Sequence, residues 1–283
     1  MQDAVQRFTL ERTGIRGEIV RLSNSVQQAT ALQYYPPGVR QTLNEFFAAT
    51  TLLSTTIKFD GQLILQAKST GQIPLIMAEC HSSGAIRGIA RGAQGASSED
   101  FVDLLNGGTL AITIQPDKGE QYQGIVPLQG QSLAACLEYY FAQSEQLPTV
   151  FWFASTPQQV VAMMLQVLPS QQPMTEDWEQ AVQLGATLSS DEMLAVDNET
   201  LLYRVFNSFG VRVHESKPIE FNCSCSSQRC LSAVHTLGES EANKLLEEQG
   251  SIQMDCEFCG QHYEFGRAEV SQLFGVGGSA SVH

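Results

Sequence analysis

Apolar positions along the first 170 residues change period several times, and each change predicts an element. Gly17-Glu18-Ile19-Val20-Arg21-Leu22 alternates as a strand does. Pro36-Pro37 then opens a helix, in which Val39, Leu43, Phe46, Phe47, Leu52 and Leu53 recur at near-helical spacing through residue 56 and predict one buried face. Asp60-Gly61, set between Ile57-Lys58-Phe59 and Leu63-Ile64-Leu65, predicts a tight hairpin, because both turn positions favour residues that tolerate positive φ. Strands are expected near residues 75–80, 86–90, 109–115 and 123–128, an amphipathic helix over Ser132 to Gln143, and a strand over Val150 to Ala154. Pro157 to Leu168 predicts an apolar core helix that takes in Met163 and Met164, although methionine-rich surfaces also adapt to varied partners.

Pro169-Ser170-Gln171-Gln172-Pro173 is polar and bracketed by prolines, which marks a boundary. From 174 to about 219 the patterns are short and helical. Thr175 with Glu176 and Asp177 opens one, Ser189 with Glu192 resembles a capping box, and Asn198 precedes Leu201, Leu202, Val205, Phe206 and Phe209. Residues 169–220 carry nine acidic and three basic side chains, and Gly185 interrupts the first helix. The segment is therefore expected to be marginal alone and to fold by docking its apolar stripes. A Gly185→Ala change inside a helix should add up to about 1 kcal/mol of helical stability, whereas at a left-handed cap it should destabilise. The expected organisation is α+β in three parts: a mixed sheet-and-helix N-terminal domain over 1–170, a metastable helical linker over 171–219, and a small C-terminal module over 220–283.

Composition narrows the function. The chain has 283 residues, 43% hydrophobic and 16% charged, within the range of globular proteins. A net charge of −14 opposes nucleic acid and anionic lipid, since binding to either depends on Lys and Arg displacing counterions. No apolar run approaches the roughly 18–20 residues of a membrane span. Met1-Gln2-Asp3-Ala4-Val5-Gln6-Arg7 lacks a basic segment followed by an apolar one, so a cytoplasmic protein is expected. Seven cysteines in a reducing compartment, five of them in the last quarter of the chain, point to a metal rather than to a static disulfide framework.

Their spacing sharpens that expectation. Cys223-Ser224-Cys225 is followed, thirty residues on, by Cys256-Glu257-Phe258-Cys259-Gly260. Two close pairs give four thiolates, the tetrahedral set that structural zinc takes, with no open position left for catalysis. Gly260 suits a left-handed turn after the second pair, and Gln261 to Phe265 is strand-like, as in a zinc knuckle. A disulfide within Cys-x-Cys closes a very small ring, and strained disulfides are the labile, regulatory ones. Cys230, in the helical pattern from Ser226 to Leu237, would be a fifth sulfur and is expected to pack. Cys80 and Cys136 are expected to be small buried hydrophobes. His235 and His262 lie near the cluster in sequence, but four cysteines already complete the shell; His81, His214 and His283 show no ligand pairing. A constitutive zinc-stapled adapter and a thiol oxidoreductase using Cys256 and Cys259 compete with a switch. No Gly-x-x-x-x-Gly-Lys loop, His-Glu-x-x-His or Gly-x-Ser-x-Gly is present, so an enzyme is not indicated.

Phe221-Asn222-Cys223-Ser224-Cys225-Ser226, Arg229, Leu237-Gly238-Glu239 and Cys256-Glu257-Phe258-Cys259-Gly260 with Tyr263 and Phe265 together resemble the heat shock protein 33 family of bacterial redox-regulated holdases. Ile15-Arg16-Gly17, Ala78-Glu79-Cys80, Ile86-Arg87-Gly88 and Leu202-Tyr203-Arg204-Val205-Phe206 extend the resemblance over nearly the whole chain. The resemblance implies one zinc per reduced chain on Cys223, Cys225, Cys256 and Cys259. It further implies oxidation to Cys223–Cys225 and Cys256–Cys259 disulfides with loss of zinc. Unfolded client proteins are the implied partners, and the active form is expected to be a homodimer.

Overall fold

The computed structural model describes residues 2–57, 60–168 and 174–275. Between Asn222 and Cys223 the chain divides into two compact units. The first begins with β1 (Ala4–Leu10), β2 (Ile15–Leu22), α1 (Asn24–Thr30) and α2 (Pro37–Thr56). Then come β3 (Gly61–Ser69), β4 (Leu75–His81), β5 (Ala85–Arg91), α3 (Phe101–Leu104), β6 (Gly108–Pro116) and β7 (Tyr122–Pro127). α4 (Leu133–Tyr140) leads through a π-helical turn into β8 (Thr149–Ser155) and β9 (Val160–Val167). The unit closes with α5 (Thr175–Gly185), α6 (Ser190–Ala195), α7 (Asn198–Phe206), β10 (Val211–Pro218) and β11 (Glu220–Phe221).

Two sheets result, one in the order β10-β1-β2-β9-β8 and the other in the order β11-β5-β4-β3-β6-β7. Neighbours pair antiparallel except β11, which lies parallel to β5. α2 packs against β2, β8 and β9 of the first sheet and against β3, β4 and β5 of the second. It is consequently buried around most of its circumference rather than along the single expected face. Thr42, Thr50 and Thr51 can sit inside because each donates its hydroxyl to a carbonyl one turn back, those of Gly38, Phe46 and Phe47. The Glu79 and Arg87 positions picked out in the sequence face each other across β4 and β5 and form a mostly buried ion pair.

Strands β4 to β7, β8 and helices α2 and α4 lie where the patterns place them. Two expectations fail. Asp60-Gly61 is no hairpin turn: α2 runs to Thr56, and β3 takes both its partners, β4 and β6, from later in the chain. Lys58 and Phe59 lie outside the described residues, as does the proline-bracketed boundary 169–173. Residues 160–167 are strand β9, not helix. β9 lies between β2 and β8 and is buried on both faces, so its apolar run is continuous and lacks the alternation of a half-exposed strand. Residues 211–218, within the segment expected to be helical, form edge strand β10 on β1.

α5, α6 and α7 cover one face of the first sheet. Phe8, Ile15, Ile19, Val161, Met163 and Leu165 supply the sheet side of this layer, and Ala181, Met193, Leu201, Leu202 and Phe206 the helix side. Phe8 and Phe206 stack with ring centroids 5.9 Å apart. The helices are short, and Ser189 caps α6 as its sequence suggests, its Oγ accepting from the Glu192 amide at 3.2 Å. α7 is capped by Asp197, which accepts from the Thr200 amide at 2.9 Å, one residue before the expected Asn198, and α5 starts after Met174 with no side-chain cap at Thr175. Both tryptophans of the chain, Trp152 on β8 and Trp178 on α5, pack into this layer. Gly185 lets α5 approach the sheet closely, since a Cβ there would lie 2.5 Å from the Trp152 indole.

The second unit contains α8 (Ser227–Leu237), α9 (Glu239–Gln249), β12 (Ile252–Asp255), β13 (His262–Phe265) and α10 (Arg267–Gly275). β12 and β13 form an antiparallel hairpin. Val234, Ala242, Leu246, Ile252, Phe265 and Val270 make its small core.

Candidate metal centre

Cys223 and Cys225 lie in the segment before α8, and Cys256 and Cys259 in the turn of the β12–β13 hairpin. The four Sγ atoms all lie within 4.8 Å of one another. Cys223 is 3.7 Å from Cys256 and Cys225 is 3.3 Å from Cys259. A tetrahedral ion with metal–sulfur bonds of about 2.3 Å spaces its sulfurs by about 3.8 Å, so the arrangement matches a four-thiolate metal site. No histidine or carboxylate joins this group among the described residues.

Local sequence explains the geometry. Gly260 has φ 64°, the left-handed conformation its place after Cys259 suggested, and its amide donates to the Cys256 carbonyl at 2.7 Å. The Cys256 amide donates to the Gln261 carbonyl at 2.9 Å, closing the knuckle. On the other side, Arg229 Nη1 holds the Cys-x-Cys loop through the Ser224 carbonyl at 2.9 Å and the Ser224 hydroxyl at 2.7 Å. Ser226 caps α8 by accepting from the Arg229 amide. The Tyr263 hydroxyl donates to Cys225 Sγ at 3.1 Å. Arg229 and Tyr263 were visible in the sequence only as resemblance; these contacts give them a physical role.

The thiols are electrostatically unequal. Burial raises Cys225, but hydrogen bonds from Tyr263 and the neighbouring thiols outweigh it and bring the thiol down to about 7. Burial pushes Cys223 and Cys259 up, opposed by the amides of Cys225 and Gln261 that point at their sulfurs. Crowded thiols cannot all ionise without a cation among them, which is the charge a metal ion provides.

The remaining cysteines stand apart from the four. Cys230 packs against the core of the second unit, and burial, then the charges of Cys225 and Cys256, raise its thiol. Cys80 and Cys136 are buried in the first unit, each pushed up to about 11 by burial, and neither is poised as a thiolate. His262 pairs with Asp255 at 2.7 Å, and His235 stacks on Phe274.

Fold and thiol cluster together define an α+β protein that carries a four-cysteine metal module. A family model described as Hsp33 protein matches residues 3–266. The 33 kDa chaperonin of Ectopseudomonas mendocina is 44% identical over 287 residues, covering 99% of this chain and 97% of the relative. That of Pseudomonas aeruginosa is 43% identical over 285 residues, covering 98% and 96%. A crystal structure of the 33 kDa chaperonin, heat shock protein 33 homolog, of Thermotoga maritima superposes with a TM-score of 0.83 at 19% identity, over 98% of this chain and 99% of that one, and shows the same fold. The chain belongs to the Hsp33 family, and the names of its relatives support a chaperone.

Proposed function

We propose that the chain is a redox-regulated, ATP-independent holdase, acting in the cytoplasm on unfolded or oxidatively damaged proteins and dimeric in its active form. The observation that carries the reading is the apolar sheet face at Phe8, Ile15, Ile19, Val161, Met163 and Leu165, whose cover consists of three short helices. Exposed apolar surface of this kind binds unfolded chains through the same hydrophobic effect that otherwise drives them to aggregate. Among the described residues no helix is long and apolar enough to cross a membrane.

Cys223, Cys225, Cys256 and Cys259 are the proposed ligands of one zinc ion in the reduced chain. Bound there, zinc keeps the four sulfurs as thiolates and supplies most of the folding free energy of the second unit. Peroxide is the oxidant class: two thiols form one disulfide as its O–O bond breaks and two molecules of water leave. The clustered geometry brings each thiol near the other three, so the proposed pairing of Cys223 with Cys225 and of Cys256 with Cys259 follows the family resemblance. Oxidised sulfurs no longer serve as thiolate ligands, and the second unit then loses its main support.

The chain passes from α7 to Cys223 through β10 and the two-residue strand β11, whose ladder joins Glu220 and Phe221 to Ala85 and Ile86. A ladder that short holds weakly, so unfolding that starts at Cys223 frays β11 and then works at β10 and the helices before it. Light scattering of a thermally aggregating test protein measures the outcome. The peroxide-treated chain is expected to suppress aggregation at near-stoichiometric ratio without ATP, and the reduced chain to leave it unchanged. Equal suppression by both forms refutes the switch.

A further inference from the structure

The sheet face beneath α5, α6 and α7 is largely apolar, and among the described residues it buries a charged side chain. Arg21 lies in β2 two residues beyond Ile19, paired with Ala4 of β1 and Val161 of β9, so its side chain rises from the covered face. It is only 6% exposed. Its guanidinium meets the end of α6. Nη2 donates to the Met193 carbonyl at 2.9 Å and to the Val196 carbonyl at 2.6 Å, and Nη1 to the Leu194 carbonyl at 3.3 Å. Nε is buried and has no hydrogen-bond partner.

These carbonyls belong to the final turn of α6 and its cap, where a helix leaves acceptors unpaired and carries its partial negative charge. Asp197, next in the chain, adds a full negative charge whose field favours the guanidinium against the cost of burial. Arginine stays charged even there. A charge beneath an apolar cover is costly unless hydrogen-bonded, so any segment laid over this face must satisfy Arg21. In the resting chain α6 does so with its own backbone. An incoming polypeptide can do so in the same way, with the open C-terminal turn of an amphipathic helix, whereas a segment that offers only apolar side chains leaves the guanidinium unpaired.

We propose that Arg21 is a specificity-determining residue of this face: it anchors α6 in the resting chain and, once the linker leaves, selects bound segments that present the free carbonyls of a helix C-terminus. The proposal rests on the reading that oxidation uncovers the face, and it is tested on the full-length chain in both states. In the reduced chain, Arg21→Met is expected to speed amide hydrogen exchange at residues 193–197 about tenfold or more. Arg21→Lys, which keeps a charge and donors but lacks the planar fork, should fall between. Metal content should stay the same in all three. In the oxidised chain, a fluorescently labelled peptide spanning residues 187–200 should bind the native sequence and bind Arg21→Met at least tenfold more weakly. Unchanged exchange at α6, no binding of the peptide to the oxidised native chain, or an affinity indifferent to Arg21 overturns the proposal. Trp152 and Trp178 report the underlying reading separately. If oxidation leaves their emission unshifted, the linker has not moved and that reading fails, while exchange in the reduced chain still decides whether Arg21 anchors α6.

Discussion

Removing the metal from the reduced chain, by a strong chelator or by Cys256→Ser, is expected to unfold the second unit and leave the α2 core of the first folded. Among the described residues the core of the second unit is six buried side chains, with Leu231, Leu245, Met254 and Tyr263 only partly covered beside it. Below about 70–80 residues such a core rarely yields more than about 3–5 kcal/mol, whereas structural zinc contributes roughly 10–16 kcal/mol of apparent binding. A bound ion would therefore decide whether the unit folds. Replacing one thiolate of four by a hydroxyl should weaken binding by more than about a hundredfold, because disturbing even the partners of metal ligands costs ten- to a hundredfold. Cys230→Ser and Cys136→Ser are the controls, since neither sulfur belongs to the four-thiol group. Both should retain one zinc per chain by atomic absorption. Amide exchange across α8, α9 and α10 should collapse on chelation while α2 stays protected. Native protection of α8 to α10 in the metal-free chain would show that the core suffices alone. Loss of zinc from Cys230→Ser would show that the ligand set is misassigned.

The clustering of Cys223, Cys225, Cys256 and Cys259 was legible in the sequence because it rests on spacing: two cysteine pairs must meet before any shell can close, and β12 and β13 supply the turn that Gly260 signals. The cap of α6, Ser189 with Glu192, was legible for the same local reason. What failed was non-local. Asp60-Gly61 has the chemistry of a hairpin, but a twenty-residue helix runs up to Thr56, and tertiary pairing of β3 with β4 and β6 prevailed over the turn signal. β9 shows no alternation because α2 lies on one of its faces and the linker helices on the other. It is split side chain by side chain: Met164 enters the core with α2, and the adjacent Met163 enters the layer under the linker. β10 is an edge strand with mostly exposed side chains, and its partner β1 lies some two hundred residues earlier. Arg21 beneath α6, and Gly185 against Trp152, join positions that no local pattern connects.

Gly185→Ala should lower the temperature at which the oxidised chain becomes active, the reverse of what helix propensity alone implies. Propensity would strengthen α5 by up to about 1 kcal/mol. A left-handed cap would weaken it, but Gly185 is the last residue of α5 and is absent from the positive-φ glycines, so that case does not arise. The space around it decides the sign. A Cβ at this position would lie 2.5 Å from Cζ2 and 2.6 Å from Cη2 of Trp152, a rigid ring on β8 rather than the loose end of a side chain. Either α5 lifts or the indole turns, and overpacking of this kind costs about 1–3 kcal/mol. The clash outweighs the propensity gain, and a net loss of about 1–2 kcal/mol raises the undocked fraction of the linker roughly 5- to 30-fold. In the reduced variant, exchange across residues 175–206 should quicken and tryptophan emission shift to the red, with zinc content unchanged. In the oxidised variant, aggregation suppression should begin at a lower temperature than in the native chain. Trp152→Phe should relieve the clash, so the double variant should recover most of the lost docking, a coupling that a general loss of stability would not produce. A raised activation temperature would mean that α5 gains more from alanine than the indole loses. An unchanged one, with α5 measurably loosened, would make the linker a passive tether and leave the thiol cluster as the only gate.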